Sequence, residues 1–166
     1  MKKILLILMA MFALGIQNVS AQDGIKIVTN HPDFKVKVKR CVASGKTVYI
    51  DLILNNTGYN DVEGLYAWGS DGGSGSTEAY DDEGNIYRDN SIKVKVANEK
   101  EYVIGRSKVF NLPVGVPIRL SISIDSVPLS AESIARLKLC IPCEAWSIGC
   151  SKEKPVRISN IPISRD

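Results

Sequence analysis

The fold of this chain is decided by residues 34–54, which read FKVKVKRCVASGKTVYIDLIL. Phe34, Val36 and Val38 alternate with lysines, and every second residue of Val48–Leu54 is aliphatic. A period of two is typical of a β-strand with one buried face and one face toward solvent. The Ala-Ser-Gly-Lys sequence at residues 43–46 separates the two runs as a short turn. The stretch therefore predicts an antiparallel β-hairpin.

The same alternation recurs further along the chain. It is clear in Ile92–Val96 and in Ile118–Ile124. Asp82-Glu83-Gly84-Asn85 reads as a second hairpin turn, because glycine at the third position can take a positive φ. Weaker strands are predicted at Gly64–Trp68, Ser107–Leu112, Leu137–Ile141 and Val156–Ile163. Many short strands, each with one buried face, predict an all-β protein built as an antiparallel β-sandwich.

One short helical turn is predicted between two of these strands. Ser130 is a suitable N-cap, and Ala131–Arg136 follows it with Glu132 in the first turn. The remaining sequence contains no long amphipathic helix pattern. The low-complexity run Gly69–Thr77 is predicted to be a mobile loop.

The order of the turns and strands carries a family resemblance. A strand closing in Leu54-Asn55-Asn56-Thr57-Gly58 precedes the acidic turn and Ile86-Tyr87. Leu112-Pro113-Val114-Gly115 then leads into Ile118–Ile124, and Val127-Pro128 leads toward residues 133–139. Over most of residues 34–141 this order resembles the small secreted bacterial immunoglobulin-like domains of unknown function. The resemblance implies an immunoglobulin-like sandwich and implies no catalytic residues.

The N-terminal residues have the pattern of a secretory signal peptide. Lys2 and Lys3 precede an uncharged apolar run, Ile4–Ile16, and Val19-Ser20-Ala21 supplies the small residues that a signal peptidase reads. The run is shorter than the roughly 20 residues that a membrane span needs. We therefore expect residues 1–21 to be removed and residues 22–166 to form a single domain. This domain is expected to be secreted or periplasmic and soluble, with no membrane span.

The net charge of residues 22–166 bears on whether nucleic acid is a partner. Without the two lysines of the signal peptide, 19 basic residues face 18 acidic ones. A nearly neutral domain does not suit non-specific binding to nucleic acid, which needs a strongly basic face. The acids are concentrated, however, since residues 58–90 hold eight of them against Arg88 alone. Such a stretch is typical of solvated loops, and it can also form an acidic surface for a cationic partner.

Four cysteines behind a signal peptide indicate two disulfides. Cys41 continues the lysine face of its strand, and Cys140 has the parity of Arg136 and Lys138. Both would then face solvent, which favours a Cys41–Cys140 bridge and a Cys143–Cys150 bridge over the two other pairings. A bridge within Cys140-Ile-Pro-Cys143 is the alternative, and that spelling also occurs in thiol–disulfide exchange proteins.

Little in the sequence predicts catalysis or metal binding. His31 is the one histidine, and the sequence around it does not contain the nucleophile and orienting acid of a catalytic arrangement. We therefore interpret it as an ordinary surface histidine. Asp81, Glu83 and Asn85 have alternate spacing but depart from the calcium-loop pattern, so they read as a solvated turn. We predict no metal site, no cofactor and no catalytic residue.

The most suggestive functional feature is a group of aromatic residues within the acidic, glycine-rich stretch. Aromatic rings beside Ser, Gly and Asn are typical of adaptable binding loops, although such rings also fill sandwich cores. Tyr66 and Trp68 share a face of their weak strand and are predicted to form an apolar platform with acidic edges. The candidate ligand-binding residues are Tyr66, Trp68, Tyr80, Asp81, Asp82 and Tyr87.

Two classes of function follow from the sequence. The favoured one is an exported, non-catalytic binding or interaction module that uses residues 59–90 to contact an extracellular or periplasmic protein or glycan. The alternative is an exported enzyme of unrecognised type, including a thiol–disulfide role for Cys140 and Cys143. The first is favoured because the sequence contains no recognisable pattern of a nucleophile, a general base or a metal-binding cluster.

The signal peptide gives the first testable prediction. When the full chain is expressed with its own leader in a secreting host, the exported protein should begin at Gln22, because Val19-Ser20-Ala21 is the cleavage motif. N-terminal sequencing and intact mass measure this directly. An exported product that retains residues 1–21 would contradict the prediction.

Overall fold

A computed structural model describes residues 24–29, 31–70, 76–142 and 155–165. The predicted signal peptide, Asp71, Cys143 and Cys150 lie outside the described residues. Within the described ranges every regular element is a β-strand. The strands are β1 (Lys26–Val28), β2 (Phe34–Ser44), β3 (Thr47–Asn56), β4 (Val62–Leu65), β5 (Glu78–Asp81), β6 (Ile86–Tyr87), β7 (Ile92–Val96), β8 (Phe110–Leu112), β9 (Ile118–Ile124), β10 (Ser133–Leu139), β11 (Val156–Pro162) and β12 (Ser164–Arg165).

Two five-stranded sheets make up the sandwich. The first sheet has the order β12-β2-β3-β9-β7, and the second has the order β1-β11-β10-β5-β6. All pairings in these sheets are antiparallel except that of β12 with β2. In their order within the sheets, β2-β3-β9-β7 correspond to strands A, B, E and D of an immunoglobulin fold, and β6-β5-β10-β11 correspond to C′, C, F and G. The predicted all-β, immunoglobulin-like sandwich is confirmed at this level.

The core lies between the two sheets and is built by alternation. In β3 and β9 every second side chain points inward, and all of these except Ile118 are fully buried. Aliphatic side chains of β10 and β11 in the second sheet pack against them. Burying one such side chain is worth about 1.5–3 kcal/mol. Fully buried side chains from these four strands are Ile50, Leu52, Leu54, Leu120, Ile122, Ile124, Ile134, Leu137 and Ile158.

Both predicted hairpin turns are present. Ser44 pairs with Thr47, so Gly45 and Lys46 form a two-residue loop in which Gly45 has a φ of 59°. The second turn joins β5 to β6, and its Gly84 has a φ of 88°. Positive φ is costly for most side chains but not for glycine. No helix that is long and apolar enough to cross a bilayer occurs among the described residues.

A β-bulge in the first hairpin reverses the expected side-chain pattern. The register of β2 against β3 shifts between Val38 and Arg40, so Lys39 is an extra residue in β2. An inserted residue moves all following side chains to the opposite face. Cys41 therefore points into the core and is only 7% exposed.

The predicted Cys41–Cys140 bridge is wrong. Cys41 is a buried free thiol within the core cluster, whereas Cys140 follows β10 in the other sheet and lies outside that cluster. No disulfide joins two of the described residues. Cys140 is nevertheless disulfide-bonded, so its partner lies outside them. The prediction assumed that side chains alternate without interruption along β2. The extra residue Lys39 reverses the face of every residue after it, including Cys41.

The predicted helical turn at Ala131–Arg136 is also wrong. A turn ends at Ala131, whose N–H donates to the carbonyl of Pro128 at 3.3 Å, and β10 begins at Ser133. Ile134 pairs with Ile161 on one side and with Asp81 on the other. Two flanking strands satisfy this backbone and bury Ile134 fully. An isolated helical turn is costly to nucleate and cannot compete with that arrangement.

The buried thiol gives a second prediction. Burial raises the pKa of Cys41 to about 12, although the charge of Arg165 lowers it slightly. An alkylating reagent at neutral pH should therefore leave Cys41 unmodified in folded protein, because the reactive thiolate is scarce and shielded. Without any reductant, the same reagent should modify Cys41 once the protein is unfolded. Peptide mapping by mass spectrometry reads out both states. Modification before unfolding, or resistance after it, would contradict the placement of Cys41.

Candidate functional site

Three side chains stack at one end of the second sheet, and we call Tyr66, Trp68 and Arg106 the aromatic platform. The rings of Tyr66 and Trp68 lie 5.8 Å apart at an interplanar angle of 55°. The guanidinium carbon of Arg106 sits 3.7 Å from the centre of the Tyr66 ring. Tilted ring pairs and guanidinium–ring stacks are each worth about 0.5–1.5 kcal/mol. The arrangement gives the rings a defined orientation while both remain half-exposed.

Backbone hydrogen bonds hold the platform on both sides. The N–H of Trp68 donates to the carbonyl of Cys140 at 3.0 Å, which extends the pairing of the second sheet beyond β10. On the opposite side, the N–H of Ser107 donates to the carbonyl of Ala67 at 2.9 Å, and the Ser107 hydroxyl accepts from the Ala67 N–H at 2.9 Å. The platform strand is thus fixed between two neighbouring segments.

Alternation directs the two rings outward. Leu65 and Ala67 are almost completely buried in the core, so Tyr66 and Trp68 face away from it. Trp68 lies opposite Cys140, and residues opposite each other in an antiparallel pair project from the same face. The structure therefore brings Tyr66 and Trp68 together as the sequence predicts.

Both ends of the predicted mobile loop Gly69–Thr77 are fixed. The N–H of Gly69 donates to the carbonyl of Gly105, and the N–H of Thr77 donates to the carbonyl of Gly69. A Cβ on Gly69 would lie 2.1 Å from the carbonyl oxygen of Ile104, so only glycine fits there. Residues 71–75, the centre of the predicted loop, lie outside the described residues.

Asp81 and Tyr87 form a buried network rather than a surface. Tyr87 donates its hydroxyl to Asp81 Oδ2 at 2.6 Å, and the side-chain amide of Asn85 donates to the same oxygen at 2.9 Å. The other oxygen, Oδ1, accepts from the backbone N–H groups of Glu83 and Asn85 at 3.1 and 2.8 Å. Asp81 is 3% exposed and Tyr87 is 5% exposed. The pair organises the β5–β6 turn.

These bonds shift both pKa values. Burial would raise the pKa of Asp81, but the hydrogen bonds from Tyr87, Asn85 and Glu83 outweigh it and hold the pKa below its usual value of 3.8. Burial raises the pKa of Tyr87, and the Asp81 carboxylate raises it further. Tyr87 therefore stays a hydrogen-bond donor throughout the neutral range.

The six candidate ligand residues thus occupy different places. Tyr80 lies on the outer face of the second sheet, where its hydroxyl donates to Glu78 Oε2 at 3.4 Å. Asp82 is exposed at the β5–β6 turn and accepts from the N–H of Glu132 at 3.2 Å. The six residues therefore occupy four separate environments: the platform pair, the buried Asp81–Tyr87 pair, Tyr80 on the sheet face and Asp82 at the turn.

A second aromatic cluster, which the sequence did not predict, covers the outer face of the first sheet. Tyr49 and Tyr102 have ring centres 6.2 Å apart, and Lys95 Nζ lies 4.6 Å from the Tyr102 ring. Beside them, Arg40 pairs with Asp51 at 2.8 Å, and Ser121 donates to Asp51 at 2.6 Å. Opposite charges on neighbouring strands, such as Arg40 and Asp51, are a sequence signal once the register is known. These side chains contact one another, and we interpret the cluster as packing on the outer face of the sheet.

Two further observations concern metal-binding geometry and His31. No group of three or more His, Cys, Asp or Glu side chains with metal-binding geometry occurs in the described part of the chain. His31 accepts from the backbone N–H of Asp33 at 3.2 Å through Nδ1 and lies 3.9 Å from its carboxylate. This is a local turn contact.

The Asp81 network gives a third prediction. Because the folded pKa of Asp81 is lower than the unfolded one, its stabilising effect is complete above pH 3.8 and is lost as the pH falls through the folded value. Asp81→Asn should lower the free energy of unfolding at pH 7 by about 1.5–3 kcal/mol. The difference from the unmodified protein should shrink as the pH falls below 3.8, because Asp81 becomes protonated there.

Glu83→Gln is the matched control, because it removes the same charge from an exposed side chain in the same turn. Urea denaturation at each pH measures all three proteins. An equal loss in both variants would show that the turn responds to its net charge and not to the Asp81 hydrogen bonds.

Comparisons with known proteins add a distant structural likeness only. No family model matches the chain, and no curated protein matches it. Among solved structures, it is similar to one from a study of glycolipid glycan hydrolysis by a family 123 glycoside hydrolase from Clostridium perfringens. That match has 11% sequence identity and a TM-score of 0.39, and it covers 74% of this chain. It spans 21% of the length of the other chain.

Proposed function

We propose that this protein is an exported, non-catalytic binding module that captures a glycan or a protein segment through the aromatic platform. The single observation that supports this is the Arg106–Tyr66–Trp68 stack, which is ordered by hydrogen bonds yet half-exposed at one end of a sheet. Export rests on the N-terminal sequence pattern alone. We also propose a relationship to the small secreted bacterial immunoglobulin-like domains, since the strand order is that of an immunoglobulin sandwich.

Preorganisation is the physical reason why such a stack suits binding. Tyr and Trp rings offer a large contact area with few rotatable bonds, so little conformational entropy is lost when a ligand covers them. Here the ring orientations are set before any ligand arrives, by stacking and by the backbone bonds of Ala67 and Trp68. The flat faces suit the C–H faces of sugar rings as well as apolar side chains of a protein.

The enzyme alternative receives less support. A thiol–disulfide role would require an accessible sulfur at Cys140, but this residue is 1% exposed. Exchange proceeds by attack of a thiolate on a reachable disulfide sulfur. Cys143, the other member of the proposed pair, lies outside the described residues.

The platform gives a fourth prediction. Tyr66→Ala and Trp68→Ala should each weaken retention on a glycan array by at least about tenfold, because each removes a large part of the contact surface. Tyr59→Ala is the matched control, since Tyr59 belongs to the same region of the chain but is fully exposed and makes no ring contact among the described residues. It should leave retention unchanged.

Thermal melts of the same variants separate binding from packing. We expect Trp68→Ala to melt cooperatively near the temperature of the unmodified protein, because the ring faces away from the core. A loss of about 3–5 kcal/mol would instead be typical of a core aromatic residue and would contradict the platform. Equal retention by all three variants would contradict it as well.

A further inference from the structure

A shallow cleft with a basic lining lies on the outer face of the second sheet, on the same face as the aromatic platform. Its volume is about 290 Å³. We call it the basic groove, and its side chains come from three adjacent strands: Glu78 and Tyr80 from β5, Arg136 and Lys138 from β10, and Arg157 from β11. All five lie on the outer face, because alternate residues of the same strands, such as Ala79, Leu137 and Ile158, are buried in the core.

Only part of the positive charge in the groove is balanced. Lys138 Nζ lies 3.6 Å from Glu78 Oε1, and Tyr80 donates to the other oxygen of the same carboxylate. Arg136 and Arg157 are exposed, and neither forms an ion pair within the described part of the chain. Two guanidinium groups thus remain available for an anion from solution. A planar guanidinium binds carboxylate oxygens in pairs, which gives both affinity and orientation.

Strand register fixes the spacing of these charges. Lys138 pairs with Arg157 and Arg136 pairs with Ser159, so Arg136 and Arg157 are diagonal neighbours. Diagonal positions on adjacent strands lie about 7–8 Å apart. Long side chains can close on one carboxylate from this distance or hold two successive ones.

The groove continues into the platform. Glu78 lies beside Lys138, and Trp68 lies beside Cys140, two residues further along the same line. Two residues of a strand correspond to about 7 Å. A ligand could therefore rest a ring on Tyr66 and Trp68 while its charged groups reach Lys138 and the two arginines.

We propose that the ligand of this face is an acidic oligosaccharide whose sugar rings carry carboxylate groups. The inference rests on the proposed function and adds the chemical class of the ligand. The platform supplies flat apolar area for the sugar ring, and the basic groove supplies partners for the carboxylates. Tyr80, whose hydroxyl donates to Glu78 Oε2, lines the same groove.

The backbone favours a glycan over an acidic peptide. An extended peptide gains affinity by adding to a free sheet edge, where backbone groups are unpaired. Here β10 is paired with β11 on one side and with β5 on the other, so the floor of the groove offers side chains only. Recognition must then come from charged groups and ring faces, which a uronic acid oligomer provides together.

The test uses the mature protein and tetragalacturonic acid, with the carboxyl-reduced form of the same tetrasaccharide as the neutral probe. Isothermal titration should show at least about tenfold tighter binding of the acidic form. Arg136→Gln and Arg157→Gln should each remove a large part of that preference. Lys35→Gln is the matched control, because Lys35 is exposed on β2 of the other sheet and its loss changes the net charge equally. It should leave the affinity unchanged.

Each other outcome overturns the proposal. Unchanged binding by both arginine variants, or an equal loss in Lys35→Gln, would show that the groove does not hold the carboxylates. Tighter binding of tetraglutamate than of the sugar acid would assign the face to an acidic protein segment. Absence of binding to the acidic tetrasaccharide would reject the ligand class.

The same experiment separates this inference from the proposed function. If Tyr66→Ala abolishes binding of both sugars while the arginine variants bind normally, the platform stands and the acidic ligand is rejected. If the arginine variants lose binding and Tyr66→Ala does not, the basic groove binds the acidic sugar and the platform proposal is rejected.

Discussion

The structure depends on the constraint that each strand of the sandwich gives every second side chain to a single shared core. Val48, Ile50 and Leu52 satisfy that constraint in β3, and each is completely buried. The remaining side chains must then lie on one of the two outer faces, whatever their chemistry. Polar and aromatic groups are therefore sorted by parity and register, because the core leaves them no other position.

Parity also explains which parts of the fold could be predicted from sequence. β7 and β9 have the predicted bounds, since Ile92–Val96 and Ile118–Ile124 alternate without interruption. The prediction for Cys41 was wrong, because a single inserted residue in β2 moves all following side chains to the opposite face. No local sequence pattern indicates this bulge. The prediction for Ala131–Arg136 was also wrong, because a weak local preference for helix was outweighed by pairing with two distant strands.

The candidate site was predictable only in part, for the same reason. Tyr66 and Trp68 are two residues apart, so their shared face follows from local geometry. Arg106 could not be joined to them from sequence, because the contact depends on a long-range bridge between Trp68 and Arg106. Arg136 and Arg157 likewise become neighbours only through the register of β10 against β11.

The charge on the outer face of the second sheet differs from the charge that the local composition suggests. The stretch at residues 58–90 is strongly acidic, which suggested an acidic edge for the platform. Yet Asp81 is buried and accepts four hydrogen bonds within its own turn, and Glu78 is shared between Lys138 and Tyr80. Once these carboxylates are satisfied internally, they contribute little field at the surface, whereas unpaired guanidinium groups on the same face contribute fully. The outer face of the second sheet thus presents arginines beside half-exposed rings, although residues 58–90 are acidic, and this difference follows from local pairing.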